Sequence, residues 1–351
     1  MKLYLEDKTA IEGKSFGAEK AVSGEVVFNT GMVGYVESLT DPSYEGQILV
    51  LTYPLVGNYG VPKPEDFESN RIHAAGLVVS EYSEAYSHHA AKQSLGEWLK
   101  ASGIPAITGV DTRMLTKKLR ERGVMLGTIA NRAPNKFADP NERNLVADVS
   151  VEKKHLYGEK GPLILAVDCG MKENIVRSFL VRGARVLRVP WDYDFTNEEY
   201  DGLFISNGPG DPTMCGATIT NLKKALQKDI PILGICLGTQ LLALAAGAKT
   251  YKLKYGHRSQ NQPCADVIDG TRCYITSQNH GYAVDEKTLP GEWKAWFKNA
   301  NDGSIEGIRH KTKSFSAVQF HPEASPGPTD TAWIFDEFLA TVKKHKKRHA
   351  A

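Results

Sequence analysis

The chain has 351 residues, of which 41% are hydrophobic and 24% are charged. Its 43 basic residues nearly balance its 41 acidic residues, for a formal net charge of +2. This balance favours neither nucleic acid nor an anionic membrane as a partner, and the length predicts two domains because it exceeds what one hydrophobic core usually organises.

The N-terminal segment MKLYLEDKTAIEG lacks the apolar core of a signal peptide. No uninterrupted apolar stretch approaches the ~20 residues that a membrane-spanning helix needs, so we expect a cytoplasmic protein. The cysteines are odd in number, widely spaced and free of CxxC pairs, which predicts reduced thiols and neither a disulfide framework nor a metal site. They are Cys169, Cys215, Cys236, Cys264 and Cys273.

The first part of the chain has the alternating pattern of β-strands. LYLEDKTAIEGKSFG and EVVFNTG alternate apolar and polar residues, and QILVLTYPLVGNYG contains a buried-strand run. Helical spacing occurs in HHAAKQSLGEWLKASG and DTRMLTKKLRERG. These patterns predict a β-rich, mixed α/β domain over residues 1–150. The stretch 131–161 has two prolines and little periodicity, which predicts a linker and the start of a new domain.

From Pro162 onward, short runs of Val, Ile and Leu alternate with amphipathic helices. This alternation predicts a doubly wound α/β domain over residues 151–351, with a mostly parallel sheet covered by helices on both faces. Such sheets place their sites beyond the carboxyl ends of the strands, so the loops after Val167, Ser206 and Ile235 should be informative. The basic tail VKKHKKRHAA is typical of a solvated end or of a linker to a further domain.

Cys236 follows a predicted buried strand and precedes a predicted helix, between Gly234 and Gly238. The pattern G-x-nucleophile-x-G allows a sharp turn that exposes the central side chain at the sheet edge. The positive end of the helix favours a thiolate there, and the backbone N–H of Leu237 can donate to an oxyanion. A buried structural cysteine is the alternative, and it fits the elbow pattern alone about equally well.

The run SAVQFHPEAS supplies the base that a cysteine nucleophile needs. His321 and Glu323 follow an apolar strand pattern, and Pro322 between them stiffens the turn so that both side chains can face one cleft. The order Cys, His, Glu differs from that of α/β-hydrolases, in which the acid precedes the histidine. A structural role is expected for five other histidines, namely His73, His88, His89, His155 and His257.

Two further loops carry weaker signals. SNGPGDP lies after a predicted strand, and its glycines allow the backbone to approach a ligand and complete an oxyanion hole. TSQNHGYAV contains Asn279, His280 and Gly281, which could line a pocket, with a plain β-turn as the alternative.

Together SNGPGDP, GICLGTQ, QNHGYAV and HPEAS resemble, in order, the motif series of class I triad-type glutamine amidotransferase domains. The segment EVVFNTGMVGYVESLTDPSYEGQILVLTYPLVGNYG resembles the N-terminal domain that accompanies this amidotransferase in the small subunit of carbamoyl phosphate synthetases. GAKTYKLKYGHRSQNQPC and NANDGSIEGI are similar to the glutaminase region of the fused eukaryotic pyrimidine-pathway enzymes.

The resemblance implies a catalytic triad of Cys236 as nucleophile, His321 as base and Glu323 as orienting carboxylate. It also implies a set of residues that hold glutamine, namely Ser43, Gly208, Gly210, Leu237, Gln240, Asn279, Gly281 and Tyr282. Two positions depart from the common pattern: Thr239 replaces a frequent His and is expected to support the elbow, and Tyr282 replaces a frequent Phe. Cys236 is present where ammonia-dependent relatives have Ser, which favours glutaminase activity.

The implied reaction is hydrolysis of glutamine through a γ-glutamyl thioester, with ammonia passing through a channel to a synthetase subunit or fused domain that makes carbamoyl phosphate. ATP, bicarbonate and Mg are expected on that partner, because this chain has no GxxxxGK[ST] loop, and no cofactor is expected here. The product would serve pyrimidine or arginine biosynthesis. The alternatives are the glutaminase component of an anthranilate or nucleotide synthetase, and a non-catalytic regulatory subunit of the same fold.

Overall fold

The computed structural model of the chain describes residues 1–349 and divides into two compact units. The first unit comprises residues Met1–Arg143, and the second begins at Asn144. Among the helices of the described residues, none is both long and apolar enough to cross a membrane.

The first unit has ten strands and three helices among its described residues. These elements are β1 (Lys2–Leu5), β2 (Ala10–Glu12), β3 (Lys14–Ser15), β4 (Val22–Asn29), α1 (Tyr35–Thr40), β5 (Gln47–Leu51), β6 (Leu55–Val56), β7 (Gly76–Val78), β8 (Glu81–Tyr82), α2 (Leu95–Ala101), β9 (Ala106–Thr108), α3 (Thr112–Arg122) and β10 (Met125–Ala130). The strands outnumber the helices, as the alternating pattern predicts.

Eight of these strands form one mixed sheet in the order β2-β1-β10-β4-β5-β7-β9-β3, while β6 pairs only with β8. The central strands β4, β5, β7 and β9 run parallel, and their side chains are mostly buried, because parallel strands are covered on both faces. Helix α2 begins at a capping box in which Ser94 and Glu97 satisfy each other's backbone N–H groups.

The second unit has ten strands and five helices among its described residues. These elements are α4 (Leu145–Val149), β11 (His155–Tyr157), β12 (Leu163–Asp168), α5 (Glu173–Leu180), β13 (Arg185–Pro190), β14 (Gly202–Ile205), α6 (Gly216–Ala225), β15 (Ile232–Ile235), α7 (Leu237–Ala246), β16 (Thr250–Asp266), β17 (Cys273–Val284), β18 (Trp293–Asn299), β19 (Ile305–His310), β20 (Phe315–Val318) and α8 (Trp333–His349).

These strands form one sheet in the order β11-β13-β12-β14-β15-β20-β19-β18-β16-β17. Strands β13, β12, β14, β15 and β20 are parallel, and two apolar clusters that include helix residues pack around them. The predicted doubly wound α/β fold is therefore confirmed. Strands β16 to β19 extend the sheet in antiparallel fashion, and this extension was not predicted because β16 has no regular alternation of buried and exposed residues.

Several elements differ from the sequence-based expectations. The stretch 131–161, predicted as a linker and the start of a new domain, contains α4 and the edge strand β11 from Leu145 onward, where specific elements were not predicted. Helices α6 and α7 begin at Gly216 and Leu237, about one turn before the runs TNLKKALQKD and QLLALAAGA whose apolar spacing predicts them. The basic tail, as far as His349, is part of α8, which buries Phe335, Phe338 and Val342 at helical spacing while its lysines remain solvated. The last two residues of the tail lie outside the described range.

Candidate active site

Four loops of the second unit leave the carboxyl ends of neighbouring parallel strands. Lys172 follows β12, the Gly208 to Gly210 turn follows β14, Cys236 follows β15 and His321 follows β20. Because the carboxyl ends of parallel strands share one edge of the sheet, these loops lie side by side.

Cys236 occupies a strained turn between β15 and α7. Its φ of 54° and ψ of −106° are unusual for a residue with a side chain, and its backbone N–H donates to the carbonyl of Val318 at 2.8 Å. Gly238 allows this turn, since a Cβ there would lie 2.3 Å from the carbonyl oxygen of Ile205. The turn thus has the geometry of a nucleophile elbow, and it is held open by strand pairing and by close backbone packing.

The Cys236 thiol and the His321 imidazole are both buried, with 1% and 2% of their surfaces exposed. The thiol lies 3.6 Å from the carbonyl oxygen of Asn279, to which it can donate. Among the described residues the Nε2 atom of His321 has no hydrogen-bond partner. Thiol and imidazole nonetheless lie close enough for Cys236 to raise the pKa of His321.

Glu323 is positioned to orient His321. Its Oε1 atom accepts a hydrogen bond from His321 Nδ1 at 2.6 Å. Because Nδ1 is used in this bond, Nε2 is the ring nitrogen left for proton transfer. Burial lowers the pKa of His321, but Glu323 and Cys236 outweigh it and raise this pKa to about 10. Burial raises the pKa of Glu323, but Lys172 and His321 bring it down to about 2, so the pair is strongly ionic.

Lys172 is a functional candidate that the sequence analysis missed. Its Nζ atom is buried and donates to Glu323 Oε1 at 3.1 Å and to the carbonyl oxygen of Ala324 at 2.5 Å. A buried ammonium at this distance compensates the buried carboxylate and fixes the loop that carries it. The loop after β12 was predicted to be informative, and a lysine within an otherwise apolar loop was the signal that could have identified it.

The loop around Lys172 is itself anchored by Asp168. One oxygen of this buried carboxylate accepts from the N–H groups of Gly170 and Met171 at 2.8 and 2.7 Å, and the other accepts from Arg188 Nε at 2.9 Å. The backbone N–H of Lys172 donates to Asn207 Oδ1 at 3.2 Å. The loops after β12 and β14 are therefore tied together.

The predicted glycine loop, Gly208 to Gly210, lies against the loop after β12 and the start of α7. A Cβ at Gly208 would lie 2.0 Å from the carbonyl oxygen of Cys169 and 2.9 Å from a methyl of Leu237, so only glycine fits. The structure thus places Gly208 and Leu237 next to each other. Gly210, two residues on, has a φ of 82°.

Residues of α7 and β17 form the wall beside Cys236. Gln240 is buried and its Nε2 atom donates to the carbonyl oxygen of Tyr282 at 2.9 Å. Asn279 contributes the carbonyl beside the thiol. Gly281 lies between Asn279 and Tyr282 on β17. The alternative interpretation of QNHGYAV as a plain turn is wrong, because the segment is part of a twelve-residue strand.

Of the two remaining sequence-predicted residues, Ser43 lies in the first unit and Thr239 in the elbow turn. Ser43 belongs to the first unit, where it is buried in a short 3₁₀ turn and its backbone N–H donates to Asp41 Oδ1 at 2.9 Å. Thr239 is fully buried in the first turn of α7 and its N–H donates to the carbonyl oxygen of Cys236 at 3.0 Å. Its place within the elbow turn agrees with a supporting role.

The fold and this edge of the sheet correspond to a known class of domain. Residues 165–341 match the family model of class-I glutamine amidotransferases. Residues 3–129 match the model of the carbamoyl-phosphate synthase small chain, CPSase domain. The chain therefore belongs to the carbamoyl-phosphate synthase small chain family.

Individual relatives agree with this assignment. The carbamoyl phosphate synthase arginine-specific small chain of Aspergillus fumigatus is 50% identical over 366 residues, which cover 99% of this chain and 81% of that protein. Multifunctional protein URA2 of Saccharomyces cerevisiae is 53% identical over 98% of this chain, and multifunctional protein CAD of Squalus acanthias is 54% identical over 98%. The chain spans only 18% and 16% of the length of these two multifunctional relatives.

Proposed function

We propose that this chain hydrolyses glutamine to glutamate and ammonia with a triad of Cys236, His321 and Glu323. The observation that supports it best is the buried His321–Glu323 ion pair beside the thiol of a nucleophile elbow. A structural cysteine does not account for a strained backbone, a neighbouring imidazole and a carboxylate that is in turn held by a buried lysine.

In this mechanism the proton of the Cys236 thiol passes to His321 Nε2, and the thiolate sulfur attacks the side-chain amide carbon of glutamine. The N–H groups of Leu237 and Gly210 stabilise the oxyanion that forms. His321 then protonates the departing nitrogen, the C–N bond breaks, and ammonia and a γ-glutamyl thioester result. Water that loses its proton to His321 attacks the thioester, which releases glutamate and restores the thiol.

We propose that glutamine is held by the groups around this edge. The backbone of Gly208, Gly210 and Leu237 would surround the reacting amide, and Asn279, Gly281 and Tyr282 on β17 would contact the rest of the molecule. Gln240 supports this wall through its bond to the Tyr282 carbonyl. Ser43 is proposed to contribute from the first unit.

We further propose that the ammonia is delivered through an enclosed channel to a synthetase, fused or separate, that makes carbamoyl phosphate for pyrimidine or arginine synthesis. ATP, bicarbonate and Mg would bind on that partner, and the chain would work in the cytoplasm. Residues 1–150 would form the partner-docking domain and residues 151–351 the amidotransferase. The match of residues 3–129 to the small-chain model supports this partner over an anthranilate or nucleotide synthetase.

The proposal is tested by glutamate release from the purified chain, alone and with its synthetase, in Cys236→Ala and in Cys273→Ala as the control. Cys273 is an exposed cysteine outside the site. We expect Cys236→Ala to lose at least ~10³-fold in kcat with the fold intact, because nothing replaces the nucleophile, and Cys273→Ala to keep its activity. Hydrolysis that survives in Cys236→Ala would refute the triad, and absence of hydrolysis in the unsubstituted chain with its synthetase would favour a non-catalytic subunit.

A further inference from the structure

A second group of buried ionisable side chains lies in the antiparallel part of the second unit. His257 on β16, His280 on β17 and Glu306 on β19 are 8%, 4% and 0% exposed. Each offers one nitrogen or oxygen atom, and these atoms all lie within 4.8 Å of one another. None of these residues has a place in the mechanism proposed above.

The two histidines are oriented by acceptors on the outside of the group. His257 Nε2 lies 3.0 Å from Asp302 Oδ2, and His280 Nδ1 lies 2.9 Å from the carbonyl oxygen of Tyr282. If each of these nitrogens carries the ring proton, the other nitrogen of each ring is a bare lone pair. His257 Nδ1 is then 3.0 Å from Glu306 Oε1 and 3.4 Å from Asn299 Nδ2. His280 Nε2 is 3.1 Å from Gln278 Oε1 and 3.7 Å from Glu306 Oε2, so in this tautomer its lone pair faces two oxygens.

One oxygen of the Glu306 carboxylate, Oε2, has no hydrogen-bond donor among the described residues. Glu306 Oε1 is also within 3.3 Å of Asn299 Nδ2 and 3.4 Å of Ser304 Oγ, whereas Oε2 is fully buried and has no hydrogen-bond partner among the described residues. An anionic oxygen and an imidazole lone pair that face each other in a dry interior repel, and a buried unpaired carboxylate oxygen is costly. A positive charge between them removes both costs.

We propose that His257 Nδ1, His280 Nε2 and a carboxylate oxygen of Glu306 bind a Zn²⁺ ion, with the fourth position open to a water molecule. Two imidazoles and a carboxylate are a donor set that Zn²⁺ accepts, and zinc-bound histidines usually donate their other N–H to a carboxylate or a carbonyl, as Asp302 and Tyr282 allow here. Ligand atoms of a tetrahedral zinc site are about 3.3 Å apart. The separations of 3.0 and 3.7 Å bracket this value.

The charges and access of the site fit this assignment. Glu306 and Asp302 supply two carboxylates, and the Arg258 guanidinium and the His321 imidazole are nearby cationic groups that oppose a bound ion. The side chain of Asp302 is 44% exposed, so the ion has a route from solvent. A bound ion would join β16, β17 and β19 directly behind Asn279 and Gly281. It would add a metal ion to a chain whose sequence predicts none.

The test is a titration of the full-length chain with Co²⁺ and then Zn²⁺, after treatment with a chelator. Cys236→Ser serves as the background, because a thiol beside His321 could bind metal by itself. We expect one Co²⁺ per chain, with the strong visible absorption of tetrahedral cobalt, without a thiolate charge-transfer band, and displaced by Zn²⁺.

Three variants in this background assign the site. Glu306→Gln should lose about 100-fold or more in affinity, and Asp302→Asn, at a partly exposed position, about 10-fold. His155→Asn, on an exposed strand outside the group, should bind as the background does. Absence of stoichiometric binding, a thiolate band, or an affinity that Asp302→Asn leaves unchanged would overturn the proposal and assign a proton to the space between Glu306 and His280. These readouts do not involve glutamine hydrolysis.

Discussion

The second unit contains two buried pairs of a histidine and a glutamate that differ in their neighbours. In the first, His321 donates to Glu323, which also accepts from the buried Lys172. In the second, Glu306 lies between His257 and His280 with no lysine in contact among the described residues. The first pair is placed by loops at the carboxyl ends of parallel strands, and the second by antiparallel strands.

The pKa values of the two buried glutamates are shifted in opposite directions. Burial raises the pKa of both, but Lys172 and His321 overcome it at Glu323, whose pKa falls to about 2. At Glu306 the bonds from His257 and Asn299 do not overcome it, and the pKa stays raised. Lys172 therefore distinguishes the two glutamates but not the histidines beside them. Burial lowers the pKa of His257, yet Glu306 and Asp302 outweigh it and raise this pKa without a lysine.

The largest effect we expect is a loss of kcat when the charge of Glu323 is removed, with the same change at Glu306 as the comparison. Glu323→Gln should lower kcat for glutamine hydrolysis by about 10²- to 10⁴-fold, since His321 loses the group that orients it and stabilises its charged form. Glu306→Gln has the same change of atoms and an equally buried position, and it should keep kcat within about tenfold. The measurement is steady-state glutamate release from both variants.

Equal losses of kcat in the two variants would contradict the division between a catalytic and a structural pair. Circular dichroism and thermal melting of both proteins are needed beside the kinetics, so that a loss through unfolding is not counted as a loss of chemistry.

A smaller effect is expected from Lys172→Met. Without the ammonium, burial should raise the pKa of Glu323 and weaken its ion pair with His321, so kcat/KM should fall by about 10- to 100-fold. The acid limb of the pH–rate profile should move to higher pH, which a merely structural role of Lys172 would not cause. Lys154→Met, which breaks the exposed ion pair with Glu198, is the matched control and should leave both quantities unchanged.

The site was more predictable from sequence in some parts than in others. Cys236, His321 and Glu323 lie in short motifs whose local geometry follows from glycine, proline and strand ends, so their positions at the sheet edge could be anticipated. Lys172 could not be assigned in the same way, because its partner Glu323 is 151 residues away in the chain and the contact depends on the order of the strands.

The fold shows the same division. The parallel strands β12, β14 and β15 can be predicted from their apolar runs, because both of their faces are covered. Strand β16 has register irregularities and carries polar residues on both faces, among them His257 and Arg258 in buried positions. Its partners are the antiparallel strands β17 and β18, which follow it in the chain, and periodicity within one segment does not reveal the pairing between segments.

The effect we expect on stability is a pH dependence whose sign differs between the two pairs. The folded pKa of Glu323 is about 2, below its ordinary value of 4.5, so its stabilisation is present above pH 4.5 and is lost as the pH falls through 2. The folded pKa of His321 is about 10, above 6.5, so its stabilisation is present below pH 6.5 and is lost as the pH rises through 10.

The difference in unfolding free energy between the unsubstituted chain and Glu323→Gln should therefore be greatest from pH 4.5 to 6.5, at about 3–5 kcal/mol, and should shrink on both sides. Because the pKa of Glu306 is raised above its ordinary value of 4.5, protonation favours the folded state, and the difference for Glu306→Gln should instead grow as the pH falls to 4.5. Urea unfolding at each pH, with a chelator present to exclude bound metal, measures both. Parallel slopes for the two variants in the acid range would mean that Lys172 does not distinguish the two glutamates.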